Sequence, residues 1–122
     1  MEVERLDHIV LTVNSIERTI KFYTDTLGME HIIFGDNRSA LTFGSQKINL
    51  HQKGIEFEPK AKAPTCGSAD ICFIAKTNIE TCKNEIEKKG GLILGGILER
   101  TEALGEIRSI YLRDPDGNLI EI

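Results

Sequence analysis

One order of elements is written twice along these 122 residues. The run Leu6-Asp7-His8-Ile9-Val10-Leu11-Thr12-Val13 is rich in β-branched residues and reads as a strand. Asn14 then offers a helix N-cap, with Glu17 three residues later as the other half of a capping box. Ile16, Ile20, Tyr23 and Leu27 fall on one helical stripe, and Gly28 suits the C-cap. Three apolar runs follow, His31–Phe34, Ala40–Phe43 and Lys47–His51, separated by Gly35-Asp36-Asn37 and Gly44-Ser45. The second half repeats the order. Ala69–Ala75 reads as a strand, Thr77 and Glu80 as a capping box, and Ile79, Cys82 and Ile86 as a stripe that ends before Gly90-Gly91. Leu92–Leu98, broken by Gly95-Gly96, then Ile107–Leu112 and Asn118–Ile122 read as strands. Asp114-Pro115-Asp116-Gly117 between the last two places Pro and Gly where a type I turn wants them. His8–Val13 maps onto Asp70–Ala75 at an offset of 62 residues.

The reading is a βαβββ unit duplicated inside one α+β domain covering residues 1–122. Module one spans about 4–53, a linker 54–68, and module two about 69–122. The expected architecture is a curved, partly open mixed sheet with the helices on its outer face. The linker carries Pro59, Pro64, Gly67 and four charged residues, so it should be exposed, and its length lets a half pair within its own chain or with another.

Composition removes several classes of function. Fifteen Lys and Arg against nineteen Asp and Glu leave a formal charge of −4, without the positive field that a phosphate backbone demands. The chain has no Trp and only seven other aromatics, too few for a base-stacking platform. No apolar run approaches the ~20 residues that cross a bilayer, and no leader pattern opens the chain. Cys66, Cys72 and Cys82 form no CxxC pair, which speaks for a reduced, cytoplasmic protein rather than a disulfide or thiolate-zinc framework.

Strand alternation identifies the candidate site. His8 shares a face with Val10 and Thr12, while Ile9, Leu11 and Val13 point toward the helix. Asp70 shares a face with Cys72, Glu121 with Leu119, and His51 with Asn49. The first and last strands of each unit therefore put metal-capable groups on the face away from the helices. If the units pair with rough two-fold symmetry, His8, His51, Asp70 and Glu121 converge on a mixed nitrogen and oxygen site suited to Zn²⁺, Ni²⁺, Mn²⁺ or Fe²⁺. Cys72 points the same way but reads as a small buried hydrophobe, and His31, lacking a nearby partner, as structural or exposed.

These motifs resemble the vicinal oxygen chelate superfamily, the glyoxalase/bleomycin-resistance/dioxygenase group, over essentially the whole chain. The resemblance rests on Leu6-Asp7-His8-Ile9, on Phe22-Tyr23 followed by Leu27-Gly28, on Gly67–Phe73, and on Asp114-Pro115-Asp116-Gly117 running into Ile120-Glu121. It extends to the small glyoxalase-domain proteins described as dioxygenase-related or as virulence proteins. It implies paired βαβββ modules holding a divalent metal that two substrate oxygens chelate. The family's first-strand ligand maps onto His8 and its last-strand glutamate onto Glu121. Asp70 stands where the ligand opening the second module is usually His. On the strand closing the first module the family position aligns with Asn49, and His51, two residues on, is the better ligand by chemistry.

The activity implied is a metal-dependent lyase or isomerase of glyoxalase I type acting on a small vicinal-oxygen substrate. Glu121 is the candidate base, Asp70 the second, and Arg5, Arg100, Arg108 and Arg113 are possible anion anchors. The alternatives are a non-haem iron dioxygenase using His8, His51 and a carboxylate, and a binding protein of the bleomycin-resistance type without chemistry. A homodimer is expected, with no nucleic-acid or membrane partner.

Overall fold

A computed structural model describes all residues, 1–122. The chain runs β1 (His8–Val13), α1 (Ile16–Asp25), β2 (Glu30–Phe34), β3 (Arg38–Phe43), β4 (Gln46–Gln52), β5 (Asp70–Cys72), α2 (Ile79–Lys88), β6 (Leu94–Glu102), β7 (Gly105–Arg113) and β8 (Leu119–Glu121). The duplicated order is present, and it builds two four-stranded mixed sheets, β1-β4-β3-β2 and β5-β8-β7-β6. In each sheet the first strand pairs parallel with the last, and the remaining neighbours are antiparallel. The edge strands β1 and β5 leave one side of their backbone without a ladder partner.

Both helices are set by a polar cap and an apolar stripe. The caps lie one residue beyond the sequence reading. Ser15, not Asn14, accepts from Arg18 N at 3.2 Å, and Asn78, not Thr77, accepts from Thr81 N at 2.9 Å. Asn14 is occupied elsewhere, donating from both its backbone and side chain to Asp116. Gly28 takes φ +70° after α1 and turns the chain so that Met29 N donates back to Tyr23 O. After α2, a Cβ at Gly91 would stand 2.5 Å from Ile86 Cγ2, so the close packing of the chain on the helix excludes a side chain there.

One core runs through both modules. Leu11, Val13, Tyr23, Leu41, Ile48 and Leu50 of the first join Ile86, Ile110, Leu112 and Ile120 of the second in a single buried cluster. A polar lock supplements it. Tyr23 Oη donates to Asp114 Oδ2 at 2.7 Å in a buried position. Asp114 Oδ1 accepts from Asp116 N and Asn118 N, and Asn118 in turn accepts from Ala69 N. The Asp114–Gly117 turn read from the sequence is present, closed by Gly117 N to Asp114 O, and it also fastens α1 to the second module.

Two strand readings change. β5 is only three residues long, and β6 and β7 extend past the runs Leu92–Leu98 and Ile107–Leu112, with Glu99–Glu106 forming the tip of their hairpin. That hairpin projects beyond the core, so both of its faces are polar and exposed and no alternation marks it. Gly95-Gly96 lies within a register shift between Leu94 and Leu98, the bulge that glycines in a strand suggest. The linker is mostly exposed, yet Phe57 folds back onto the first sheet. Gly67 seats against the Asp116 carbonyl, where a Cβ would lie 2.4 Å from the oxygen.

Candidate metal and substrate site

Burial shows which face of each sheet is open. Ile9, Leu11 and Val13 of β1 and Ile48 and Leu50 of β4 pack into the core; His8, Val10 and Thr12 face away with Lys47, Asn49 and His51. The open face of the second sheet carries Asp70 and Cys72 of β5, Glu121 of β8, and Ser109 and Tyr111 of β7, opposite the buried Ile110, Leu112 and Ile120. All four residues read as ligands lie on these open faces.

Strand register decides which of them can cooperate. His8 lies opposite Lys47, and His51 opposite Thr12. Four residues of strand, roughly 13 Å, separate the two histidines, so they cannot share one ion. Asn49 lies opposite Val10, two residues along from His8. Glu121 lies opposite Cys72, two residues along from Asp70. The repeat therefore relates His8 and Asn49 to Asp70 and Glu121. His51 stands outside this set, buried edge-on against Phe57 at a ring separation of 5.6 Å. Burial, followed by the nearby Arg38 cation, lowers its pKa and favours the neutral ring. No group of three His, Cys, Asp or Glu side chains within one chain is arranged to hold a metal ion.

The donor set nevertheless has the chemistry of a hard divalent-cation site. His8 Nδ1 lies 2.8 Å from Asp7 Oδ2, a carboxylate–imidazole pair that fixes the ring and leaves Nε2 free. Asn49 Oδ1 is buried without a hydrogen-bond partner, an orphaned acceptor that a cation would satisfy. Glu121 is a buried carboxylate whose Oε1 accepts from Ser109 Oγ at 2.6 Å. Asp70 is exposed at the open edge. An imidazole and three oxygen groups fit Mn²⁺, Zn²⁺, Ni²⁺ or Fe²⁺, divided between two sheets.

Cys72 corrects its sequence reading. The residue is exposed on β5 rather than buried in the core, and its thiol is pushed up to about 11 by desolvation and by the neighbouring Glu121. His31 is exposed and shares a hydrogen bond with Ser39. The four arginines read as anchors are engaged within the chain: Arg5 pairs with Asp7, Arg100 donates to Tyr111 Oη, Arg108 pairs with Glu80, and Arg113 donates to Gly117 O. Sequence reasoning passed over two cations that have no such partner, Arg38 and Lys47. Strand alternation held the signal for both, since Arg38 shares a face with Ala40 and Lys47 with Asn49.

A profile of the Glyoxalase/Bleomycin resistance protein/Dioxygenase superfamily matches residues 5–122, and the chain belongs to that superfamily. It is 58% identical over 122 residues to Virulence protein STM3117 of Salmonella typhimurium, spanning all of this chain and 85% of that protein. The crystal structure of STM3117 superposes with a TM-score of 0.98 over 100% of this chain and 97% of that one. The glyoxalase domain-containing protein RDO1 of Mycosarcoma maydis is 51% identical, over 100% of this chain and 69% of its own length. At 24% identity the fold alone is shared with the fosfomycin resistance protein FosX of Listeria monocytogenes, crystallised with Mn(II) and a dihydroxypropylphosphonic acid. The TM-score is 0.64, over 98% of this chain and 89% of that one.

Proposed function

We propose that residues 1–122 form a single domain of a divalent-metal-dependent enzyme of glyoxalase I-like lyase or isomerase type, acting on a small vicinal-oxygen substrate in the cytoplasm. The observation that carries this reading is the symmetric placement of His8 with Asn49 on one open face and Asp70 with Glu121 on the other. Because the two half-sets do not meet within one chain, the site is completed in a homodimer. The unpaired edges of β1 and β5 are the natural joining points, since exposed strand edges seek a ladder partner. Three free thiols and no disulfide suit a reducing compartment.

His8, Asn49, Asp70 and Glu121 would hold the ion, and the ion, when bound, supplies Lewis-acid polarisation of two adjacent substrate oxygens. The protein's own part is proton transfer. Glu121 takes the proton from the carbon bearing the hydroxyl and returns it to the adjacent carbon, while the hydroxyl proton passes to the neighbouring carbonyl oxygen, so the carbonyl moves by one carbon and the isomerisation needs no oxidant. Ser109 donates to one oxygen of Glu121 and so fixes the orientation of the carboxylate. Asp7 keeps the His8 ring oriented. Asp70 is the second carboxylate available to carry a proton.

The test is turnover of a glutathione or bacillithiol hemithioacetal of methylglyoxal by protein loaded with Ni²⁺, Zn²⁺ or Mn²⁺. A metal-dependent rate that Glu121→Gln removes supports the reading. A rate equal to the metal-free blank with all three ions refutes the assignment.

A further inference from the structure

The open face of the first sheet carries two cations that form no ion pair within the chain. Arg38 begins β3, and its guanidinium carbon lies 4.0 Å from the centroid of the Phe57 ring. Lys47 on β4 reaches across the same face until its Nζ lies 3.8 Å from the centroid of Phe34. Neither makes an ion pair or a hydrogen bond through its charged group, whereas Arg5, Arg100, Arg108 and Arg113 are each bonded within the chain. The Arg38 guanidinium has five N–H donors and none meets an acceptor. Aromatic stacking holds a cation in place by its face while leaving its N–H edge free.

Their placement relative to the donors is equally specific. Lys47 is two residues from Asn49 on β4 and directly opposite His8. Ala40 lies opposite Asn49, so Arg38, two residues from Ala40, is on the diagonal from Asn49, about 7–8 Å away between backbones. Phe34 lies directly opposite Arg38, so Lys47, leaning onto that ring, brings its charge toward the Arg38 end of the face. The carboxylates around them are committed or distant: Glu56 accepts from Gly54 N, Glu58 pairs with Lys60, and Asp7 pairs with His8. Glu30 lies at the far edge strand, opposite Thr42.

We propose that Arg38 and Lys47 form an oxyanion subsite, so that the substrate carries a carboxylate or phosphate group in addition to its two vicinal oxygens. This inference rests on the metal-site reading above and names its substrate class. Arg38 supplies a bidentate N–H pair to two oxygens of the anion, and Lys47 a point charge to the third. Phe57 and Phe34 are the platforms that set where those charges stand.

Two measurements separate this subsite from the metal site. In the first, metal-free protein is titrated with inorganic phosphate and, separately, with acetate, following the Arg38 Nε–H resonance. A saturable shift is expected, and whichever ion saturates at lower concentration identifies the preferred oxyanion. Lys47→Met should weaken that binding about tenfold, the loss of one charge-assisted contact. In the second, protein loaded with Mn²⁺ is titrated calorimetrically with acetohydroxamate and with the monohydroxamate of succinic acid, which adds a carboxylate to the same chelating group. Binding of the carboxylated probe should be about tenfold tighter, and the preference should vanish in Arg38→Met/Lys47→Met while acetohydroxamate affinity is unchanged. Methionine keeps an apolar stem over each ring, so the variants should fold. Saturable phosphate or acetate binding with no hydroxamate binding would overturn the metal reading and leave the oxyanion site standing. No saturable shift, with both hydroxamates bound equally, would overturn the oxyanion site alone.

Discussion

Replacing Tyr23 with phenylalanine deletes one oxygen atom and leaves the buried ring in place. The lost atom is the donor to Asp114 across 2.7 Å, the contact that ties α1 to the Asp114–Gly117 turn of the second module. A buried hydrogen bond to a carboxylate contributes about 1.5–3 kcal/mol. Asp114 keeps Asp116 N, Asn118 N and the Asn118 amide, so no charge is orphaned and the cost should fall inside that range rather than above it. At roughly 4 °C per kcal/mol for a chain of this size, Tm should drop by about 6–12 °C. The appropriate assays are thermal unfolding for Tm and urea unfolding for the free energy, each followed by circular dichroism and tyrosine fluorescence at pH 7 and pH 9. Burial and the Asp114 charge hold the phenol far above the ordinary tyrosine range, so it donates at both pH values and the loss should be the same. Wild type should unfold in one transition with both probes coincident, because one core serves both modules. A Tyr23→Phe protein as stable as wild type would refute the lock, and two separated wild-type transitions would refute the single domain.

Gly67→Ala should cost more than about 1 kcal/mol, because φ is +76° and the new methyl would meet the Asp116 carbonyl; an unchanged Tm would count against that docking. His51 is held neutral by burial, with a folded pKa below the 6.5 of the free ring. Its contribution is therefore complete above about pH 6.5 and is lost as the pH falls through the lowered folded value. His51→Phe should flatten the acid side of the stability profile, and an unaltered profile would contradict the assignment. Cys72, pushed up to about 11 by partial desolvation of its thiol and then by Glu121, should react with iodoacetamide at pH 8.5 far more slowly than a free cysteine, and Glu121→Gln should speed it. Alkylation at the free-thiol rate would refute that environment.

The two modules were legible because each element signals itself locally. The stripe Ile16, Ile20, Tyr23 and Leu27 and the β-branched run at His8–Val13 need no knowledge of the partner strand. The helix caps shifted by one residue because Asn14 and Ser15, like Thr77 and Asn78, are both competent; the choice at Asn14 was made by Asp116, 102 residues away. The Phe22-Tyr23 and Asp114-Pro115 motifs were both conspicuous in the sequence, but only the fold shows that they are two ends of one hydrogen bond. His51 was preferred over Asn49 on ligand chemistry alone. The register of β1 against β4, two parallel strands joined through a helix and a hairpin, is what places Asn49 beside His8, and no local pattern encodes it. For Arg38 and Lys47 alternation gives the face, but only the fold shows that neither finds an ion-pair partner there.

The shared site can be tested by complementation between two defective chains. His8→Ala and Glu121→Ala proteins are each purified, dissociated, mixed and reassociated, and bound Mn²⁺ is measured by elemental analysis. Each variant alone should hold no ion. The mixed dimer should regain about one, because one of its two junctions unites an intact His8 with an intact Glu121. Mixed protein as empty as its parents, or single variants that retain full metal, would contradict a site built from the two halves of different chains.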